Sequence, residues 1–542
     1  MKPFWLPLAF RLSVLATGLL LTGAGGAHAA PTADSVDNAV SQLNTLVPQL
    51  MARTGVPGVA VSVVVGGKTV FAKGFGVRKI GAAGRVDADT VFQLASVSKS
   101  ISATVMAGQM PGSVANRSMD WNTPIQSLLP DFQLAYSDPR DNQRLTLGDL
   151  FGHRSGLPDH AGDQLEDLGY SRAEILQRLR YSALAAYGDY AYTNFGLTAA
   201  AQAMARATGT DWATLSEETL YRPLGMAHTS SRYPDFVARS NRAWGHVQTG
   251  VDYDSYGALP AQYEAQNPPR QPDAQSPAGG VSASVADMAK WMALVLDQGL
   301  WRGQPLVSAS ALQQAMTAHP GGKYGYGFNA GPDPQGRASV SHSGAFLLGA
   351  HTAFILWPQA GLGITVLTNA QPRGLAEAIA LSFGEHAFAS SVGNAGNVGK
   401  AVGTDWLLFM QKAMHPFYRP EGRQLVGHTP PAHPRVPRSL ASYVGRYANA
   451  YYGDARVSLI ENGTALQLTL GPASVQHRLR HWDGDRFAYE LRGENAPRGS
   501  LSAVAFAPDG MSIEYYSQDL ADGRFERLPD LPGATPALGT KG

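Results

Sequence analysis

The stretch Ser96-Val97-Ser98-Lys99 closes the run Val91-Phe92-Gln93-Leu94-Ala95 and opens a small-residue, apolar segment, 101–106. That segment reads as a helix. Ser96 then stands at a helix N-terminus, with Lys99 one turn on along the same face, because side chains three apart are neighbours on a helix. A serine hydroxyl is a weak nucleophile at neutral pH and needs a base beside it. Lys99 supplies one if burial or a nearby cation lowers its pKa. The helix N-terminus adds a favourable field and backbone N–H groups for a developing oxyanion. A four-residue match of this kind also arises by chance in a chain of 542 residues, so its surroundings decide whether it counts.

Upstream, residues 36–51 carry apolar side chains at helical spacing (Val40, Leu43, Val47, Leu50), ended by Gly55 and Pro57. The β-rich run 59–65, the pair Gly66-Gly67 and the return 69–72 read as a hairpin. Downstream, 110–250 is mostly helical in pattern. Residues 145–151 lead into Gly152-His153-Arg154-Ser155-Gly156-Leu157-Pro158, a loop by its Gly and Pro content. Helices are expected at 173–179 and 197–207, the second stopped by Gly209, with Tyr190-Ala191-Tyr192-Thr193-Asn194-Phe195-Gly196 between them. Residues 251–278, rich in Pro, Gln and Asp, read as a long surface loop. Ser284-Val285-Ala286-Asp287 reads as a capping box opening a helix at 288–296. Three strands follow at 338–342, 350–357 and 363–368, with gaps short enough for antiparallel neighbours, and then a helix at 375–388 packing on them.

Composition sets bounds on function. Hydrophobic residues make up 44% of the chain, ample for packed cores, and its length makes two domains the default. A formal charge of +1 and the lack of any Lys/Arg run leave no footprint for nucleic acid or an anionic membrane surface. Cysteine is absent, which removes disulfides, thiolate metal sites and cysteine nucleophiles. Lys2 and Arg11 precede an apolar run, 12–21, and then Ala27-His28-Ala29. This is the pattern of a secretory signal peptide cleaved after Ala29, its apolar run too short for a membrane span. The expected product is exported, periplasmic or secreted.

The composition shifts after about residue 393. A Gly/Asn/Val stretch, an amphipathic segment at 406–414 and a Pro-rich run at 429–437 read as a linker with a short helix. From Ser439 the spacing is all-β, at 443–447, 456–460, 465–470, 477–482, 486–491, 501–506 and 512–516, with an Asn462-Gly463 turn. That regularity indicates a small antiparallel barrel or sandwich. The expected organisation is therefore signal peptide 1–29, a first domain 30–392, a linker 393–438, a β domain 439–530 and a tail 531–542.

Three motifs line up in order: Ser96-x-x-Lys99, then Tyr192-Thr193-Asn194, then His342-Ser343-Gly344 on a strand. With Phe92-Gln93-Leu94-Ala95, Ser155-Gly156-Leu157-Pro158 and Pro277-Ala278-Gly279-Gly280 around them, they resemble the β-lactamase/penicillin-binding superfamily over about residues 35–390. The resemblance is nearest the class C-like serine hydrolases, D-peptidases and esterases. The tail from 439 resembles the lipocalin-like domain appended to some of these enzymes. The resemblance implies an α+β fold, an antiparallel sheet flanked by helices plus a helical subdomain, followed by the β-barrel domain.

It also implies an acyl-enzyme on Ser96, with Lys99 and the Tyr192 phenol sharing the proton transfers. Asn194 would hold the substrate amide or Lys99, and the N–H groups of Ser96 and Ala345 would form an oxyanion hole. His342, Ser343 and Gly344 would line the substrate, Gly344 letting it approach the strand without a Cβ in the way. No metal or cofactor is implied. Where many β-lactamases of this superfamily carry Lys-Thr-Gly, this chain has His342-Ser343-Gly344. An imidazole near pKa 6.5 is only partly charged at neutral pH, so carboxylate binding by a cationic His342 would weaken as pH rises. Substrates on this reading are small amides or esters: β-lactams, D-amino-acid peptides or carboxylic esters. A penicillin-binding sensor with little turnover is the reading from another class.

Other features have plainer readings. A tyrosine such as Tyr192 in an aromatic stretch is usually core, and an isolated histidine such as His342 is usually a satisfied polar residue. His153 and His160 lack a third ligand at metal-site spacing and read as loop residues. Gly325-x-Gly327-x-x-Ala330 lacks the strand–turn–helix context of a dinucleotide site. No G-x-S-x-G elbow occurs.

Overall fold

A computed structural model describes residues 30–249, 261–389, 403–517 and 522–529. The expected signal peptide, part of the 251–278 loop, most of the Gly/Asn/Val stretch and the 531–542 tail lie outside the described residues. The chain forms two compact units. One holds the chain up to Ala161 together with Ala186–Arg419; the other holds Gly162–Ala185 together with the chain from Pro420.

In the first unit, helix α1 (Ala33–Thr54) starts on the Thr32 side chain, which accepts from the Ser35 N–H, and stops at Gly55 with φ 75°. Its apolar face, Val36, Leu43, Val47 and Leu50, is buried. Strands β1 (Gly58–Val65) and β2 (Lys68–Gly76) form the expected hairpin. Helices α2 (Ser98–Ala107), α3 (Asn194–Thr208) and α4 (Val285–Leu296) follow. Strands β3 (Asn329–Pro332), β4 (Ala338–Phe346), β5 (Ala350–Trp357) and β6 (Leu362–Thr368) then complete the sheet.

The sheet order is β2-β1-β6-β5-β4-β3, and every neighbouring pair is antiparallel. β1, β5 and β6 are apolar almost throughout, because each is covered on both faces. On one face, α1 and helices α5 (Leu375–Ala387) and α6 (Trp406–Met414) share a core with Val61, Val63, Ile355, Ile364 and Val366. Helix α4 packs on the other face against β1 and β6.

Three local expectations are corrected. The amphipathic segment 406–414 is core, not linker: Trp406, Leu407, Met410 and Met414 are buried against α1 and α5. Within 251–278, the described part carries the strand Tyr263–Ala265, paired with His246–Gln248, and the helix Ser276–Gly279. Composition hid these because both elements are very short. The box at α4 is only half made. Ser284 Oγ accepts from the Asp287 N–H, but the Asp287 carboxylate turns to His228 N and Thr229 Oγ1.

In the second unit, eight strands close into a barrel: β7 (Gly445–Asn449), β8 (Gly453–Ile460), β9 (Ala465–Leu470), β10 (Val475–Asp483), β11 (Arg486–Glu490), β12 (Leu501–Ala507), β13 (Gly510–Ile513) and β14 (Arg524–Arg527). β14, unread in the sequence, pairs with β7 and β13 and removes both free edges. Residues 162–185, which lie between two motifs of the first unit in sequence, fold against this barrel. Tyr170 Oη donates to the Tyr452 carbonyl at 3.0 Å, and Arg178 donates to the carbonyls of Ala450 and Tyr451, each at 3.0 Å.

Candidate active site

Ser96 lies in a tight 3-10 turn, Ala95–Val97, that runs straight into α2. Ala95 holds a φ of +47°, a left-handed conformation costing about 1 kcal/mol or more in a residue with a Cβ. Packing fixes it there: Ala95 is buried against Phe346 and Ala350. The Thr352 hydroxyl donates to the Leu94 carbonyl at 2.6 Å. The strained Ala95 therefore presents Ser96 in the middle of the turn.

Lys99 is fully buried. Its Nζ lies 3.1 Å from Ser96 Oγ, 2.6 Å from Asn194 Oδ1 and 3.0 Å from the Ala278 carbonyl. The last two groups only accept, so two Nζ protons are committed to them. The position facing Ser96 holds either the third proton or the lone pair. Tyr192 Oη lies 2.8 Å from the same Oγ. Ser96 is thus flanked by two groups that can exchange one proton with it.

Helix α3 starts at Asn194, which brings Tyr192 and Thr193 into the site from the preceding strand-like turn. The loop after Gly152 holds that turn. Asp159 Oδ1 accepts from the Tyr192 N–H at 2.6 Å, the Tyr192 carbonyl accepts from His160 N, and the His153 carbonyl accepts from Ala191 N. His153, read from sequence as a loop residue, is 1% exposed, with its ring 4.6 Å from that of Tyr192.

β4 closes the other side. Its side chains alternate, so His342 and Gly344 face Ser96. A Cβ on Gly344 would stand 2.2 Å from the Leu94 carbonyl and 2.9 Å from Ser96 N. The glycine expected to admit substrate also lets the nucleophile's own turn lie flat on the strand. Ser343 points to the opposite face and bonds Glu377, whose carboxyl is also paired with His351 at 2.9 Å. Its side chain is not brought to Ser96. Ala345 is in register with His351 on β5, beside Gly344.

His342 is also unlike the expectation of a partly charged ring. Burial, then the charge on Lys99, push it down to about 3, against the opposing bond to the Ser343 carbonyl. Its Nε2 lies 3.1 Å from Tyr324 Oη and its Nδ1 2.7 Å from Ser343 O. Among the residues sequence reasoning missed, His153, Asp159, Tyr324, Thr352 and the Ala278 carbonyl hold this site together. The one usable signal was the Gly325/Gly327 pair. A Cβ at Gly327 would sit 2.6 Å from the Lys99 carbonyl, and Ser100 Oγ donates to the Gly327 carbonyl at 2.6 Å. Gly327 lets the Tyr324 loop press onto α2, while Gly325 lies against the Ala315 and Thr317 carbonyls. Among the described residues no cluster of three or more His, Cys, Asp or Glu could hold a metal ion.

An antiparallel sheet with helices on both faces, and a serine between lysine and tyrosine beside one strand, is the architecture of a β-lactamase-fold hydrolase. The chain belongs to the Beta-lactamase family, which it matches over residues 43–382, and it matches a domain of unknown function (DUF3471) over 429–522. It is similar to an unguisins hydrolase of Aspergillus campestris, 29% identical over 53% of each chain. It is also similar to penicillin-binding protein 4 of Amycolatopsis lactamdurans (27%, 45% of this chain and 61% of that one). Esterase EstB of Burkholderia gladioli aligns over 98% of its own length and 66% of this chain, at 24% identity. The chain spans about half the length of the first curated relatives it matches. Among solved structures, the octameric penicillin-binding protein homologue from Pyrococcus abyssi shares the fold, with a TM-score of 0.54 over 90% of this chain and 19% identity.

Proposed function

We propose that the protein is an exported serine hydrolase that cleaves small amides or esters through an acyl-enzyme on Ser96. The observation that carries this reading is Ser96 Oγ standing 3.1 Å from Lys99 Nζ and 2.8 Å from Tyr192 Oη. With Lys99 neutral, its lone pair accepts the Ser96 proton as Oγ attacks the carbonyl carbon. That proton then passes to the leaving nitrogen or oxygen, with Tyr192 within reach of the same oxygen. In deacylation Tyr192 relays a proton, its hydroxyl proton passing to Ser96 Oγ as the ester bond breaks while its oxygen takes one from the attacking water. The N–H groups of Ser96 and Ala345 would take the oxyanion.

The relatives' names cover a hydrolase, a penicillin-binding protein and an esterase, which supports hydrolysis without choosing the acyl group. Export rests on the sequence of residues 1–29, and a periplasmic or secreted location follows from it. Purified protein would be exposed to a fluorophosphonate and a fluorescent penicillin, then assayed on nitrocefin, D-amino-acid amides and p-nitrophenyl esters. Mass added to the Ser96 peptide, lost with turnover in Ser96→Ala, is the expected result. Undiminished activity in Ser96→Ala would end the reading.

A further inference from the structure

A chain of four hydrogen bonds crosses the site beside Ser96. Thr193 N lies 3.2 Å from His153 Nδ1, and His153 Nε2 lies 3.3 Å from Tyr324 Oη. Tyr324 Oη lies 3.1 Å from His342 Nε2, and His342 Nδ1 lies 2.7 Å from the Ser343 carbonyl. Both ends have fixed roles: a backbone N–H can only donate and a carbonyl can only accept. His153 Nδ1 must therefore be an acceptor, which leaves its one proton on Nε2, donating to Tyr324. Tyr324 then donates onward to His342 Nε2, and the His342 proton sits on Nδ1, donating to Ser343.

Four links are filled by four protons. An extra proton on His153 would face the Thr193 N–H. One on His342 would leave the Tyr324 hydroxyl with two incoming donors and no acceptor in the chain for its own hydrogen. The link pattern alone thus holds both rings neutral. The charged and titratable groups around them act in the same direction: Lys99 and His160 lie near His153, Lys99 near His342, and Tyr190 and Tyr192 beside Tyr324.

We propose that His153, Tyr324 and His342 form a neutral strut that positions the Tyr192 turn and closes the third-motif position to carboxylates, so that this site selects uncharged acyl groups. Every hydrogen-bonding atom of the His342 ring is already committed, and a substrate meets only its apolar edge. The strut spans from the turn carrying Tyr192 and Thr193 to strand β4, with Tyr324 as the link. Tyr324 is itself pinned, its carbonyl accepting from the His319 N–H at 3.0 Å. His153 and Tyr324 are positioning residues, since neither touches Ser96. The inference rests on Ser96 being the nucleophile and adds the class of acyl group it takes.

The test uses two matched esters, p-nitrophenyl butyrate and p-nitrophenyl hydrogen glutarate, whose distal carboxylate is ionised above about pH 5.5. For the wild-type chain, the glutarate-to-butyrate ratio of kcat/KM should be well below one and flat from pH 5.5 to 8. Glutarate turnover too slow to detect at every pH would support the proposal equally. A ratio that climbs several-fold as pH falls below 7 would show His342 taking a proton and would overturn the proposal. Tyr324→Phe should lower kcat for butyrate about 10-fold or more with little change in KM, and should introduce that acid-side climb. His342→Leu, which offers Tyr324 no acceptor, should lower kcat for butyrate further than His342→Gln, whose amide oxygen still accepts from Tyr324. Tyr324→Phe indistinguishable from wild type would also overturn it. If a variant fails to fold by circular dichroism, the wild-type ratio decides. Fluorophosphonate labelling of Ser96 separates the two levels: labelling with a pH-dependent ratio sinks the strut alone, and no labelling sinks the nucleophile.

Discussion

The Thr352 hydroxyl and the Leu94 carbonyl, 258 residues apart in sequence, meet at 2.6 Å. This bond ties the strained turn before the nucleophile to a strand in the middle of the sheet. Thr352→Val keeps the shape and deletes the donor. Both groups are buried, so the variant should lose about 1–2 kcal/mol of stability. Ser96 acylation should slow as well, because small misplacements of a reacting atom are costly. Urea unfolding and the fluorophosphonate labelling rate check both halves.

Gly344→Ala tests the same contact from the strand side. The new Cβ would meet backbone atoms at 2.2 and 2.9 Å, so the turn must move. Labelling of Ser96 should fall about 100-fold or more while the circular dichroism spectrum is kept. A variant that labels normally would mean that Gly344 serves only substrate access.

Tyr192→Phe removes Oη and leaves the ring packed on His153. If Tyr192 is the base for the attacking water, deacylation should drop by about 10²–10⁴. Acylation should fall less, since Lys99 remains. The expected record is a burst of p-nitrophenol followed by a slow steady state. Equal losses in both phases would assign the water's base elsewhere.

Acid should unfold the first unit earlier than its carboxylates alone would. His153 is held well below its usual value by burial and then by Lys99, His342 is held to about 3 by the same two causes, and burial lowers His246 and His319. Unfolded histidines titrate near about 6.5. Below that pH the unfolded chain binds protons that the folded chain refuses, so stability is full above pH 6.5 and falls as pH drops. Each such group contributes up to about 1.4 kcal/mol per pH unit in that window. Urea midpoints from pH 7.5 to 5 should fall, and His342→Gln should flatten the slope. An unchanged slope would contradict the buried neutral state.

Asp333→Ala should be severe. Asp333 pairs with Arg337 at 2.6 Å, both nearly buried, and accepts from the Trp357 indole at 2.9 Å. Removing it strands a buried guanidinium, at a cost of about 3–5 kcal/mol. Thermal or urea unfolding measures it directly.

The legible parts of this chain were those written in local pattern. The α1 face, the Gly66-Gly67 turn and the apolar runs of β5 and β6 follow from periodicity and turn chemistry. Ser96, Lys99, Tyr192 and Asn194 were found because spacing and order mark them, and the structure brings them within bonding distance. His153 and Tyr324 were not, since their partners lie 171 and 18 residues away and nothing local encodes those meetings. The His342 environment misled for a related reason: sequence supplies an imidazole's intrinsic pKa, and burial plus a neighbouring cation replace it. Strand β14 was missed because its four residues, Arg524–Arg527, show too little alternation to stand out.

The excursion of residues 162–185 changes what a cut chain would do. Leu165, Leu168, Ile175 and Leu179 are buried, Tyr170 and Arg178 bond the barrel, and the Leu168 carbonyl accepts from Ala473 N at 3.1 Å. Ending the chain in the Pro-rich run would leave that segment with its apolar side chains in water. Nicking the same run with a protease would do something else. The barrel fragment would stay docked on a peptide that remains covalently part of the other fragment. The two pieces should therefore migrate together on a native gel and separate only in denaturant, as halves of a split protein do.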